Sequence, residues 1–163
     1  MPVLELINVR FARLIRISFF NAFHRNAEIS VGPVRVQKFS EFIRNLVVPT
    51  NLNIMHVNEL DGKCLIVLDP NLIFLITDNV FGGDGRFHTR VECRDFTSVE
   101  KDIIQVILKC VNDEFCSSFS SFFPLSMEYV RSEMNSQFVQ IASPSEIVVS
   151  TTFTAEFGGV CAD

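Results

Sequence analysis

Several residue types that often mark a compartment or a function are scarce in this 163-residue sequence. It has no tryptophan and one tyrosine but 17 phenylalanines, so we expect a core of aromatic rings without polar groups. No apolar run reaches the roughly 20 residues that a membrane-spanning helix needs. The first segment spreads arginines among its apolar residues, unlike a secretory signal. These absences predict a globular domain without a transmembrane segment.

Positive charge is scarce as well, since 14 Lys and Arg residues are outnumbered by 19 Asp and Glu residues and the net charge is −5. This balance disfavours general binding to nucleic acid. The five cysteines are odd in number and never form a C-x-x-C pair. We therefore expect reduced thiols in a cytoplasmic protein, with no disulfide framework, no metal site and no cofactor.

Helical periodicity predicts two long amphipathic helices, over 3–24 and about 98–119. Thr97 and Glu100 have the spacing of a capping box at the start of the second. The expected core-facing stripes are Leu4, Ile7, Phe11, Leu14, Ile15, Ser18 and Phe19 in the first helix, and Val99, Ile103, Val106, Ile107, Cys110 and Val111 in the second. Arg10, Arg13 and Arg16 fall outside the first stripe, which indicates a solvated face.

A third helix is predicted over 70–81 by signals at both of its ends. Asp69 suits the N-cap, Pro70 suits the first helical position, and Gly82 suits the left-handed position after the last turn.

The other segments favour strands. "EISVGPVRVQKF" is a β-rich pattern broken at Gly32-Pro33, and "SEFIRNL" favours a short helix. "NLNIMHVNEL" and "KCLIVLD" predict a hairpin around Asp61-Gly62. "LSMEYVRSEM", "QFVQIAS" and "EIVVSTTFTAEF" predict further strands and connections.

A faint internal repeat suggests how these elements are arranged. "SEFIRNLVVPTNLNI" at 40–54 resembles "SQFVQIASPSEIVV" at 136–149, and each follows a long helix. A duplicated unit predicts a pseudo-twofold symmetric α/β sandwich in which the two long helices pack on sheet.

The stretch "DNVFGGDGRFH" ends the third helix in three closely spaced glycines. A phosphate-binding loop places its glycines before a helix, whereas these follow one, and G-K-[ST] is absent. A plain turn explains Gly82 and part of Gly85. A loop that lets another protein approach its backbone explains the remaining glycine and the flanking Phe81 and Phe87.

Four blocks of the sequence resemble the middle domain of the FliM family of flagellar motor switch proteins. They are "INVRFARLIRIS", "ISVGPVRVQKFSEFIRNLVVPTNLN", "DPNLIFLITDNVFGGDGRFHTRVECRDFT" and "PLSMEYVRSEMNSQFVQIASPSEIVV". The resemblance implies a pseudosymmetric fold like that of the CheC-type phosphatases. It also implies that 1–163 is a single middle domain, without the N-terminal segment that binds phosphorylated CheY and without the C-terminal FliN-like domain.

In function, the resemblance implies a non-enzymatic component of the motor switch ring, at the cytoplasmic face of the inner membrane, that links FliG to CheY. Neighbouring FliM copies would be partners in the ring, and FliN and phosphorylated CheY would bind other parts of the full protein. The family's G-G-x-G loop, implicated in FliG binding, corresponds to 82–85, and proximity extends the patch by two residues. The predicted FliG-binding residues are Gly82, Gly83, Asp84, Gly85, Arg86 and Phe87.

A CheC-type phosphatase with one residual active half is the alternative. Such enzymes use an acid and an Asn three residues apart on a helix, which "ELIN" supplies as Glu5 and Asn8. The matching positions on the second helix are interpreted as Val106 and Lys109, which lack both groups.

The three histidines have no nearby Ser or Cys motif, so a hydrolytic triad is not supported. We therefore expect a scaffold and not an enzyme.

Overall fold

The structure is a computed structural model that describes residues 2–46, 50–81, 96–157 and 160–162, the last range by its backbone alone. The first half contains α1 (Pro2–Phe23), β1 (Glu28–Val31), β2 (Arg35–Lys38), α2 (Phe39–Arg44), β3 (Asn51–Val57), β4 (Gly62–Leu68) and α3 (Pro70–Val80). The second half contains α4 (Ser98–Phe119), β5 (Met127–Glu133), β6 (Ile147–Ser150), β7 (Phe153–Phe157) and β8 (Val160–Ala162).

The caps that the sequence predicted are present at two helix starts. The Asn71 N–H donates to the Asp69 side chain at 2.9 Å. The capping box of α4 is closed in both directions, with the Thr97 N–H donating to Glu100 Oε2 at 2.8 Å and the Glu100 N–H donating to Thr97 Oγ1 at 3.3 Å. These bonds satisfy N–H groups that lack partners within the helix, so they fix where α3 and α4 begin.

The two halves repeat one connectivity and exchange their first strands. α1 and α4 are both 22 residues long, and strands follow each of them. The first strand of the first half, broken into β1 and β2, pairs antiparallel with β7 and β6 of the second half. In return, β5 pairs antiparallel with β3, so the three-stranded sheets have the orders β4-β3-β5 and β1-β7-β8. The predicted pseudo-twofold α/β sandwich is confirmed.

The main core lies between the helices and one face of the strands. It contains residues of α1, α3 and α4 together with residues of β4 and β7, so both long helices share one core with strands of both halves. Phe11 is its aromatic centre, with edge-on contacts to Phe115 at 5.7 Å and Phe153 at 4.9 Å between ring centroids. Along β4, Ile66 contacts this core, whereas Leu65 contacts a second core beneath α2. The helices therefore flank the sheet on both faces.

The predicted break at Gly32-Pro33 separates β1 from β2, and the facing strand is interrupted at the same level between β6 and β7. The Gly32 N–H donates to the Thr152 carbonyl at 2.8 Å. A Cβ at Gly32 would lie 3.0 Å from that same oxygen. A Cβ this close to a backbone oxygen is tighter than most such contacts, so a side chain here would require the Thr152 backbone to shift by a few tenths of an ångström.

We expect Gly32→Ala to lower the free energy of unfolding by about 1–2 kcal/mol, because the added methyl group must push two paired strands apart. Gly62→Ala is the matched control, since a Cβ there would meet only the Leu60 carbonyl, at an ordinary 3.7 Å. Urea denaturation of both variants provides the measurement. Equal losses at the two positions would contradict the steric explanation.

The core-facing stripe predicted for α4 is partly wrong. Val99 and Val106 are 43% and 41% exposed, whereas Ile104 and Leu108 are buried. The helix therefore turns the face containing Ile103, Ile104, Ile107 and Leu108 inward. Apolar residues recur at helical spacing on both the buried and the exposed face of α4. The spacing alone therefore did not show which face is buried.

The β3–β4 hairpin is confirmed, but its turn is longer than a two-residue Asp61-Gly62 turn. A single 3₁₀ turn, Asn58–Leu60, precedes Asp61, whose φ of 45° lies in the left-handed region. Asp tolerates this conformation better than most residues, because its short polar side chain bonds locally. Farther along, the "QFVQIAS" segment begins within the 3₁₀ turn Ser136–Phe138.

Candidate partner-binding site

The end of α3 presents two apolar side chains to solvent, immediately before the predicted docking loop. Phe81 is 70% exposed and Val80 is 49% exposed. The backbone of Phe81 is nevertheless fixed, because its N–H donates to the Thr77 carbonyl at 3.2 Å. α3 ends at Val80, one residue before the predicted end. Gly82, the predicted residue after the last turn, lies outside the described residues, as do Gly83, Asp84, Gly85, Arg86 and Phe87.

The chain re-enters the described residues at Phe96, which is buried against the same helix. The Phe96 ring lies 6.0 Å from that of Phe74, measured between centroids, and Thr97 then caps α4. α3 and α4 contact each other through the main core. The described residues on either side of 82–95 therefore belong to two helices that pack on each other.

The structure separates the two residues proposed for a residual phosphatase half. Asn8 is buried, and its Nδ2 donates to Thr151 Oγ1 at 3.0 Å. Glu5 is exposed on the same helix. The Asn8 amide is buried and hydrogen-bonds α1 to the break between β6 and β7. It is therefore not available to orient a water molecule at the surface.

The burial pattern also changes the predicted match between the long helices. When α1 and α4 are aligned end to end, the buried Ile7, Asn8, Phe11 and Ala12 coincide with the buried Ile103, Ile104, Ile107 and Leu108. Glu5 then corresponds to Lys101, and Asn8 corresponds to Ile104. The matches to Val106 and Lys109 were therefore misplaced, although the acid and the amide are absent from α4 in either alignment.

We expect Asn8→Ala to lower the free energy of unfolding by about 1–2 kcal/mol, because the Thr151 hydroxyl loses its partner in a partly buried position. Asn21→Ala, at an exposed position of the same helix, should change stability by less than about 0.5 kcal/mol. Thermal melting measures both changes. If Asn8→Ala leaves stability unaltered, the structural role of this amide is contradicted.

The side of α1 opposite the core is basic and apolar at once, a feature that the sequence reading had described only as a solvated face. We call it the α1 outer face: Val3, Leu6, Val9, Arg13, Arg16, Ile17 and Phe20, all exposed. Arg10 lies at its edge and donates to Ser121 Oγ at 2.5 Å. The apolar members could have been found in the sequence, because they recur at helical spacing outside the core stripe.

The equivalent side of α4 has a different charge. We call it the α4 outer face: Val99, Asp102, Gln105, Val106, Lys109 and Asp113, all exposed. It is apolar at two positions and has one more acidic than basic residue.

Among the helices of the described ranges, none combines the length and the apolar character of a membrane span.

Comparison with known proteins gives one consistent result. The family profile described as flagellar motor switch protein FliM matches residues 1–161. FliM of Salmonella typhimurium is 47% identical over 161 residues, which are 98% of this chain and 48% of that protein. The chain thus spans about half the length of the curated relatives it matches.

Solved structures agree. The crystal structure of the FliM middle domain from Vibrio alginolyticus is 38% identical, with a TM-score of 0.88 over 99% of this chain and 89% of that one. A chain of the FliG–FliM complex from H. pylori, at 20% identity, shares the fold with a TM-score of 0.90 over 99% of this chain and 87% of that one. By its sequence and by its fold, this chain belongs to the FliM family of flagellar motor switch proteins.

Proposed function

We propose that this chain is the middle domain of a flagellar motor switch protein and that it binds FliG through residues 82–87. The observation that carries the proposal is the 47% identity to FliM over almost the whole chain. The choice of partner is supported by the FliG–FliM complex of H. pylori, because this chain shares the fold of one chain in that complex.

The chemistry around the docking segment supports this role. Phe81 and Val80 are apolar and exposed directly before Gly82, where they would be covered by a partner. Aromatic side chains at the centre of an interface commonly contribute most of the binding energy. Because α3 packs on α4, Val80 and Phe81 would be presented to a partner from a fixed backbone.

We propose further that the domain is a scaffold and not an enzyme. A phosphatase half would need an accessible acid and amide on one helix face, but the Asn8 amide is buried and bonded to Thr151. In the full protein, FliN and phosphorylated CheY would bind other segments. The assembly would sit at the cytoplasmic face of the inner membrane.

Neighbouring copies in a ring are the third part of the proposal. The α1 outer face is basic and apolar, and the α4 outer face is acidic and apolar, so the two have complementary charge. Contact between unlike faces of successive copies produces a ring, and not a closed dimer, where the rotation from copy to copy closes.

We expect the isolated domain to be mostly monomeric at micromolar concentration, because each outer face interrupts its apolar residues with exposed charges. Light scattering over a range of concentrations measures this. A dimer whose mass is independent of concentration would contradict weak lateral contacts of this kind.

Two experiments on the purified domain test the proposed function. Titration with FliG should give saturable binding at one FliG per domain. Incubation with phosphorylated CheY should leave its rate of dephosphorylation unchanged. Faster phosphate release that disappears in Asn8→Ala would favour the phosphatase, whereas failure to bind FliG would overturn the docking proposal.

A further inference from the structure

Strand β5, which the second half contributes to the sheet of the first half, contains one residue more than regular pairing with β3 requires. Toward its end Arg131 lies opposite Ile54, whereas toward its start Tyr129 lies opposite Met55. Val130 therefore has no directly opposite residue, which is the pattern of a β-bulge. Within the described residues β5 is an edge strand that pairs on one side only, so its register depends on contacts with β3 and with side chains nearby.

The start of β5 is fixed by contacts with α4 and with the β3–β4 turn. Asn112 Nδ2, on α4, donates to the Met127 carbonyl at 3.2 Å. The Met127 side chain is buried beside that of Val57, which lies opposite it on β3. One residue earlier, the Ser126 N–H donates to Glu59 Oε2 at 2.7 Å. These contacts set the pairing at the start of the strand, before the bulge.

Beyond the bulge, β5 contacts polar side chains that are buried at the centre of the sheet. Asn53 is fully buried, and its Nδ2 donates to Asn51 Oδ1 at 2.6 Å and to the Ile66 carbonyl at 3.2 Å. The Ser132 hydroxyl donates to Asn53 Oδ1 at 2.6 Å. Because that bond uses its single hydrogen, the Tyr129 hydroxyl is the donor in the 2.5 Å bond to Ser132 Oγ. Tyr129 and Ser132 lie on either side of the extra residue, so these bonds span the bulge.

A regular strand is the alternative with which these bonds are incompatible. If the pairing at the start of β5 continued without an extra residue, Val130 would lie opposite Ile54 and Ser132 opposite Leu52. The apolar pattern does not oppose this shift, because Val130 would then join Ile54 on the face of the sheet that packs beneath α2. The shift would, however, break the bond between Asn53 Oδ1 and the Ser132 hydroxyl. That bond is therefore specific to the bulged register.

We propose that Asn51, Asn53, Ser132 and Tyr129 form a register lock, a conformational device that holds β5 in its bulged register. Asparagine is disfavoured in strands, and a buried amide costs free energy unless its hydrogen bonds are made. Both the nitrogen and the oxygen of the Asn53 amide are bonded, and in other proteins a buried polar residue specifies the register of packed elements. Because the second half joins this sheet through β5, the register lock sets how the two halves meet. It is independent of the proposed binding of FliG.

Nuclear magnetic resonance on the whole domain measures the register directly. The unmodified chain should give one set of β5 resonances, with cross-strand Overhauser contacts between Ile54 and Arg131. Asn53→Leu keeps a similar size but removes the hydrogen bonds, so a second set of roughly a tenth or more of the signal should appear, with contacts between Ile54 and Val130. Ser132→Ala should produce the same second set and should speed amide exchange at the end of β5 about tenfold.

Arg131→Gln is the matched control. Arg131 also holds the end of β5, by donating from Nη2 to the Phe138 carbonyl at 2.9 Å, but it takes no part in the register lock. This variant should therefore keep a single register. A shifted register in Arg131→Gln but not in Ser132→Ala would assign the register to other side chains and would overturn the proposal.

A single set of resonances that retains the contact between Ile54 and Arg131 in both Asn53→Leu and Ser132→Ala would also overturn the register lock, because the buried amides would then contribute to stability alone. Should Asn53→Leu fail to fold, Ser132→Ala combined with Tyr129→Phe decides in its place, since both of these residues are exposed. The second register should appear in this double variant, and its absence there would contradict the proposal.

Discussion

Ile107→Ala should lower the free energy of unfolding by about 4 kcal/mol, the largest loss of stability that we expect from a single truncation. Ile107 is fully buried on the inward face of α4, within the core that joins both long helices to α3 and the strands. Removing its outer carbons would leave a cavity lined by residues of several elements. Because these elements come from both halves, the surrounding structure cannot collapse onto the cavity without separating them.

Val106→Ala is the matched control, since Val106 is adjacent in sequence but 41% exposed. This change should alter stability by less than about 0.5 kcal/mol. Urea denaturation of both variants decides the orientation of α4. Equal losses at Val106 and Ile107 would contradict the rotation of this helix and support the stripe predicted from the sequence.

Helix boundaries were the part of the fold that local sequence predicted best. Asp69-Pro70 and the Thr97–Glu100 pair act within three or four residues, so the groups that form each cap are neighbours in the sequence. The break at Gly32-Pro33 was equally visible, although the reason for the glycine was not. That reason is the Thr152 carbonyl, which approaches from the other half of the chain.

Contacts between the halves could not be predicted in detail. The repeat indicated a duplicated unit, but it did not reveal that the first strands are exchanged, because the pairing of β1 with β7 leaves no local pattern. Asn8 gave a misleading signal for the same reason. Its partner Thr151 is remote in sequence, so a buried structural amide resembled half of a catalytic pair.

In the candidate site, the sequence indicated a docking loop but gave only part of the surface around it. Phe81 was named as a flanking residue, and its exposure agrees with a role in binding. The contact between Phe74 and Phe96, which attaches the far end of the connection, joins residues that no motif relates. The assignment of 82–87 to FliG binding remains a prediction, since these residues lie outside the described ones.

Gly83→Val should weaken FliG binding by about 2 kcal/mol, which is a roughly 30-fold rise in Kd. A β-branched side chain disfavours positive φ and would hold the partner's backbone away from the loop. The domain itself should remain folded, because the main core described above is built from α1, α3, α4 and the strands. Gly82→Val should differ by costing, in addition, about 1 kcal/mol of stability as a substitution at the end of α3.

The measurement that tests the central claim most directly is a FliG titration of the unmodified domain, Gly83→Val and Gly62→Ala, each paired with a thermal melt. Gly62 lies in the β3–β4 hairpin, where a Cβ meets no close contact, so its variant controls for the loss of a glycine outside the proposed docking segment. The account predicts saturable binding of FliG by the unmodified domain and by Gly62→Ala, and binding about 30-fold weaker by Gly83→Val at an unchanged melting temperature. Gly83→Val that melts normally and binds FliG as tightly as the unmodified domain would contradict it.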